Sequence, residues 1–171
     1  MGLKMTNVFH CSWTGNSDAT CVAATDQKFF GANGLTIDHE RAVVYVNDLE
    51  DKMISVMERD KETGKLTKVS EINLPFVADN IEYDDETDEI IIGTLLDLDA
   101  FFKKFNGEDV PVAGGLSIAR KSDGWKIRDV LNHDGTELSQ ISAAARWGDK
   151  VVLGSPFSEG ILVCKKGLWK N

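Results

Sequence analysis

Two short segments constrain the fold most: Ala32-Asn33-Gly34-Leu35 and Ala78-Asp79-Asn80-Ile81. In each, an Asn stands ten residues before a strand-like run, Val43-Val44-Tyr45-Val46 in one case and Ile90-Ile91-Ile92-Gly93 in the other. The layout recurs near the end, where Ser142 stands nine residues before Val151-Val152-Leu153-Gly154. A motif that returns every roughly 45 to 60 residues marks repeated supersecondary units, and strand-rich units of that size stack as propeller blades. The polar residues that open the units are small oxygen donors. Such donors from successive units suit a hard divalent cation, calcium above all.

The patterning between these points is that of strands. Val8 to Trp13 and Ala19 to Ala24 flank the turn cluster Thr14-Gly15-Asn16-Ser17-Asp18 and predict a hairpin. Leu35-Thr36-Ile37, Val43 to Val46, Met53 to Met57 and Leu66 to Leu74 then form a four-stranded meander of about 40 residues, the size of one blade. Gly64, in the turn Lys61-Glu62-Thr63-Gly64, is placed for a positive φ. The next unit takes Ile81 to Tyr83, Glu89 to Thr94, Gly115 to Arg120 and Trp125 to Leu131. Leu95 to Gly114 interrupts it, and Phe101, Phe102 and Phe105 with Lys103 and Lys104 predict a short amphipathic helix there. The last unit shows three strands, Ile141 to Arg146, Lys150 to Gly154 and Gly160 to Cys164.

The expected fold is therefore all-β: a partial β-propeller of about three four-stranded blades, with an extra hairpin at the front. No Pro-rich or Ser/Gly-rich linker divides the chain, so residues 1–171 are read as a single partial propeller domain. Propellers close with four to eight blades. Three blades leave open edges, which implies self-association through those edges.

Composition removes several classes. With 42% hydrophobic residues over 171 positions, the chain is long and apolar enough for a packed core. A net charge of −9 argues against nucleic acid as a partner. Three cysteines, Cys11, Cys21 and Cys164, include no Cys-x-x-Cys pair, which argues against zinc. No apolar run of about 18 residues is present. The start, Met1-Gly2-Leu3-Lys4-Met5-Thr6, has no following apolar segment and is not read as a signal peptide; Gly2 and Thr6 fit a loose myristoylation pattern.

Catalytic motifs of other kinds are absent from the sequence. Phe157-Ser158-Glu159-Gly160 lacks the first Gly of a nucleophile elbow, since Pro156 precedes it. No phosphate-cradling Gly motif occurs. His39 and His133 are read as solvated loop residues and His10 as strand surface. Trp13, Trp125, Trp147 and Trp169 suit packing or strand-edge roles.

Taken in order, Phe30-Gly31-Ala32-Asn33-Gly34-Leu35, Val44-Tyr45-Val46, Val77-Ala78-Asp79-Asn80-Ile81-Glu82, Asp134-Gly135-Thr136 before Ser142, and Ile161-Leu162-Val163-Cys164 resemble the paraoxonase/arylesterase family. The resemblance runs from about residue 8 to residue 165 and covers the second half of the family's length. It implies a six-bladed parent propeller, secreted or membrane-associated, that hydrolyses aryl esters or lactones with calcium. By motif, Asn33, Asp79 and Asn80 match calcium ligands of the family. The Glu and the further Asn that complete the family's set have no counterpart here, nor does its histidine pair. Phe102 corresponds to an aromatic wall of the substrate pocket, although the loop before it aligns poorly and Leu95 stands where the family often carries His. In the family, a cysteine at the position of Cys164 is bridged to one near the N-terminus; here a free Cys164 is expected.

The reading that follows is a truncated paraoxonase-like calcium-dependent hydrolase, weakly active or inactive, whose incomplete site binds calcium weakly and whose catalytic residues are not assigned. Its partner is a small ester or lactone, and the resemblance adds membrane or lipoprotein association. Two alternatives stand beside it: a non-enzymatic propeller that acts as a binding or chaperone-like partner, and a gluconolactonase-like lactonase, a group that shares the Asn-Gly-Leu pattern.

Overall fold

The computed structural model describes residues 3–15 and 18–165. Gly2, of the myristoylation pattern, and Trp169 lie outside the described residues. The chain divides into two compact units, one up to Asn73 and one from Leu74 onward.

The first unit opens with a hairpin, β1 (Phe9–Ser12) and β2 (Thr20–Ala23), in which Cys11 and Cys21 are cross-strand partners and form a disulfide. A four-stranded antiparallel meander follows, formed by β3 (Ala32–Asp38), β4 (Val43–Asp48), β5 (Met53–Arg59) and β6 (Leu66–Asn73), in sequential order. Gly64, in the β5–β6 turn, has the expected positive φ of 72°. The ring of His10 lies so close over it that a Cβ there would meet the imidazole. The core of this unit is Val8, Ala24, Phe29, Val44, Val46, Met57 and Leu66.

The second unit holds two sheets. β7 (Val77–Asp84), β8 (Glu89–Leu95), β9 (Gly114–Arg120) and β10 (Lys126–His133) form a second four-stranded antiparallel meander. β11 (Ala143–Trp147), β12 (Lys150–Gly154) and β13 (Leu162–Lys165) form a three-stranded one. Every residue of β8 is buried, which explains its unbroken apolar run: a strand covered on both faces has no polar alternation. The two sheets share one core. Ile91, Leu116 and Ile118 meet Leu138, Ile141, Ala144, Val151 and Leu153.

The segment between β8 and β9 contains the expected helix, α1 (Leu98–Phe105). Asp97 caps it by accepting from the N–H of Ala100 at 2.9 Å, Asp99 sits in its first turn, and Lys103 and Lys104 sit in its last, all in accord with the helix dipole. Leu98, Phe101, Phe102 and Phe105 recur at i, i+3, i+4 and i+7 and form one apolar stripe. The stripe is not buried, and Phe102 is 54% exposed.

A charged cluster lies at the start of β8. Glu89 is buried and receives Arg120, Arg128 and Arg146 at 2.5, 3.3 and 2.9 Å. Arg146 also pairs with Asp84 at 2.5 Å. Beside this cluster, a cavity of about 240 Å³ is lined by Glu82, Asp84, Asp85, Glu86 and Arg146, among others.

Candidate cation site

The two polar segments that open the repeat lie inside the first strand of each four-stranded sheet, not ahead of it. Both fall in a β-bulge. In β3, Ala32 pairs with Asp48 but Leu35 pairs with Val46, so three steps on one strand oppose two on the other. In β7, Ala78 pairs with Thr94 and Ile81 with Ile92, the same shift. A bulge adds one unpaired residue and turns the strand locally, which re-aims its side chains. Asn33-Gly34 and Asp79-Asn80 are the pairs that stand opposite a single residue, Asn47 and Gly93 respectively.

In the first unit the approach to the bulge is clamped. The carboxylate of Asp48, fully buried, accepts from the N–H groups of Phe30 and Gly31 at 2.9 and 3.0 Å. Thr6 Oγ1 accepts from Ala32 N–H at 2.9 Å and donates to Phe29 O at 3.0 Å. Asn33 itself is exposed.

In the second unit the bulge meets the segment that leads into β11. The N–H of Asn80 donates to Ser142 O at 3.0 Å. The side-chain amide of Asn80 donates to Ser142 Oγ at 2.9 Å and to Asp79 Oδ1 at 3.4 Å. Gln140 Nε2 donates to Asp79 Oδ2 at 2.9 Å. The close approach requires glycine in the sheet below. A Cβ on Gly93 would lie 2.3 Å from Ser142 O, and one on Gly114 would lie 2.2 Å from Ile141 N.

Gln140 is the residue that sequence reasoning missed. It is 2% exposed, and its backbone lies at φ 58°, a left-handed conformation costly for a residue with a Cβ. Its N–H donates to Val112 O at 2.7 Å. Neighbouring hydroxyls hold the same turn: Ser139 Oγ accepts from Val112 N–H, Ser158 Oγ accepts from Ser139 N–H, and Ser155 Oγ donates to Ser139 O. The Oε1 of Gln140 is buried and has no hydrogen-bond partner. No sequence signal marks it, because neither strain nor burial at a Gln shows in composition or period.

Around Asp79 and Asn80 the donors are all oxygen: a carboxylate, two amides and a hydroxyl. That chemistry fits calcium, and the orphaned Gln140 Oε1 is the buried polar atom such a site would use. The number falls short of the six to eight oxygens that calcium takes. No group of three or more His, Cys, Asp or Glu that could hold a metal occurs among the described residues.

The same end of the strands carries α1, which follows β8, and the loop after β12. The Phe101 ring lies 5.5 Å from Phe102, 6.1 Å from Phe105 and 5.7 Å from Phe157. Phe102, the expected pocket wall, is thus part of an aromatic group on an exposed helix. His133 differs from its reading as a solvated loop residue. It ends β10 with its side chain only 14% exposed, and its Nδ1 accepts from Gly135 N–H at 2.9 Å, because the tight turn at Gly135 folds back over the ring. His39, in the β3–β4 turn, is exposed as expected. Cys164 is the free cysteine, and burial, with the charge of Glu137, raises its pKa above the ordinary 9.0.

The chain resembles known proteins in both fold and sequence. The luciferin-regenerating enzyme, a propeller-like structure, superposes over 81% of this chain and 40% of its own with a TM-score of 0.55, at 12% identity. This supports a partial β-propeller. Serum paraoxonase/lactonase 3 is 29% identical in the rabbit Oryctolagus cuniculus over 75% of this chain, and 29% identical in Homo sapiens over the same share. Serum paraoxonase/arylesterase 2 of Gallus gallus is 26% identical over 94% of this chain. The matched stretch makes up 36% to 44% of these relatives, so the chain spans less than half their length. The arylesterase family model matches residues 1–165, and the chain belongs to the arylesterase family.

Proposed function

We propose that this chain carries the cation-binding part of a paraoxonase-like hydrolase of aryl esters or lactones, and that its own turnover is weak or nil. The observation that supports this reading is the bulged Asp79-Asn80 pair, fixed by Gln140 and Ser142 in an all-oxygen setting. Asp79 supplies the charge, and Asn80 supplies an amide whose N–H side is occupied by Ser142 and Asp79, which leaves its carbonyl oxygen for a cation. Asn33 is proposed as a cation-facing amide from its place in the matching bulge of the first unit alone. Calcium, when bound, polarises an ester carbonyl and stabilises the oxyanion that develops. The aromatic group of Phe101, Phe102, Phe105 and Phe157 offers an apolar surface for an aryl or acyl substituent. None of the three histidines is assigned the role of base.

The test is turnover of phenyl acetate and of a simple lactone by the purified chain, with calcium and after chelation, together with calorimetric calcium titration. The expected result is weak calcium binding, with any turnover lost on chelation. Chelator-resistant turnover, or no calcium binding at all, sinks the reading.

A second reading rests on α1. Its exposed apolar stripe suits a non-enzymatic binding surface. Absence of turnover of any aryl ester, lactone or aldonolactone that is not restored by adding a first-half fragment of a paraoxonase would favour it.

A further inference from the structure

We propose that Gln140 is a working member of the Asp79-Asn80 cation site, orienting the Asp79 carboxylate through Nε2 and supplying Oε1 as a further oxygen donor. The inference rests on the calcium reading above and adds a residue to it.

Three independent features converge on Gln140. Its side chain is buried, yet it carries a polar atom without a partner, at a cost of about 1–3 kcal/mol for an unmade buried hydrogen bond. Its backbone is left-handed at φ 58°, where Gly or Asn would sit with less strain. Its amide nitrogen is committed to Asp79 Oδ2 at 2.9 Å. A fold that needed only the turn would be better served by glycine. The orphaned oxygen has no partner within the protein, and both it and the choice of Gln at a left-handed position are accounted for if the amide serves a ligand. The turn is also held in place. Val112, Ser139, Ser155 and Ser158 fix its backbone, so the amide is presented by a rigid support. An amide oxygen is a hard donor, the kind calcium takes from Asn, Gln and the main chain.

The experiment compares the wild-type chain with Gln140→Gly, Gln140→Asn and Asp79→Asn. Affinity is read by calorimetric titration with calcium chloride. Inner-sphere water is counted from europium(III) luminescence lifetimes in H₂O and D₂O. Fold is read by thermal unfolding without metal. Gln140→Gly is expected to weaken calcium binding about tenfold, the low end of what loss of a supporting group costs a metal site. It should also add one water to the europium shell, with no loss of metal-free Tm because the left-handed strain is relieved. Gln140→Asn keeps an amide and tolerates the backbone but is one methylene short; it should behave like the Gly variant and serves if the latter does not fold.

Unchanged affinity and water count in both Gln140 variants, with binding abolished in Asp79→Asn, overturns the role of Gln140 and leaves the calcium reading intact. Weakened affinity with an unchanged water count overturns the donor role. Absence of binding in the wild-type chain overturns both.

Discussion

Asn80 is tied to Ser142 twice, by its main-chain N–H to the carbonyl at 3.0 Å and by its side-chain amide to the hydroxyl at 2.9 Å. The backbone bond sets where the bulge lies against the next sheet, and the side-chain bond sets which way the amide faces. Asn80→Ala keeps the first and removes the second. It should lower stability by only about 1 kcal/mol, the net worth of one hydrogen bond, yet abolish the calcium binding seen by calorimetry. Calcium affinity equal to wild type in Asn80→Ala would remove the residue from the site.

Gly93→Ala should damage the site from below. The added Cβ would lie 2.3 Å from Ser142 O, a backbone atom that cannot swing aside. The sheets must separate locally, at a cost of about 1–3 kcal/mol as for other overpacked positions. Chemical denaturation should show the lower midpoint, and calcium binding should weaken, since the Asn80–Ser142 contacts depend on that approach. A variant of unchanged midpoint would show that the sheets are looser here than the glycine implies.

Glu89→Ala tests the charged cluster. Removing the carboxylate leaves Arg120, Arg128 and Arg146 facing one another around a buried position. Breaking a buried network at its shared member costs about 3 kcal/mol. Arg128→Ala, at a partner that reaches solvent, should cost less than about 1 kcal/mol. Equal losses from the two substitutions, in urea unfolding, would contradict the assignment of Glu89 as the hub.

Glu82 gives a pH signature. Glu82 is exposed, yet partial desolvation of its carboxyl, and then the charges of Asp85 and Asp84, hold it above the ordinary 4.5. Folding therefore favours its neutral form. Its contribution to stability is full below the unfolded pKa and is lost as pH rises through the folded value. Glu82→Gln should raise Tm near pH 7 and have little effect near pH 4, as read by thermal scans at both. A larger gain in acid than at neutrality would reverse the sign and refute the cause.

Strands, sheets and the helix were legible because their signals are local. β8 reads as an apolar run, α1 as an i, i+3, i+4, i+7 stripe, and the turn at Gly64 as a glycine between two strands. The polar pair 79–80 was legible by repetition, through its spacing from β8. What could not be read was set by tertiary contact. The bulges depend on register against β4 and β8, and a register shift has no residue type of its own. Gln140 depends on a turn held by groups distant in sequence, such as the Val112 carbonyl 28 residues away and the Ser155 and Ser158 hydroxyls. His133 was misread because its neighbours Asn132, Asp134 and Gly135 look like a loop, whereas the ladder extends through it to Gly114.

The bulge in β7 also shapes how this chain can drift. Pairing resumes on both sides of the inserted residue, from Val77 with Leu95 to Asp84 with Glu89. Delete one residue of the pair and the other faces Gly93 alone, so the strand straightens while Ile81 stays opposite Ile92 and Tyr83 opposite Ile90. Substitution at 79 or 80 leaves the bulge in place. Mutation can therefore silence the chemistry one side chain at a time, or a single deletion can remove the bulge and its re-aimed side chains while the ladder on either side keeps its partners. A descendant that had lost binding by substitution would still carry the kink, whereas one that had lost it by deletion would run straight.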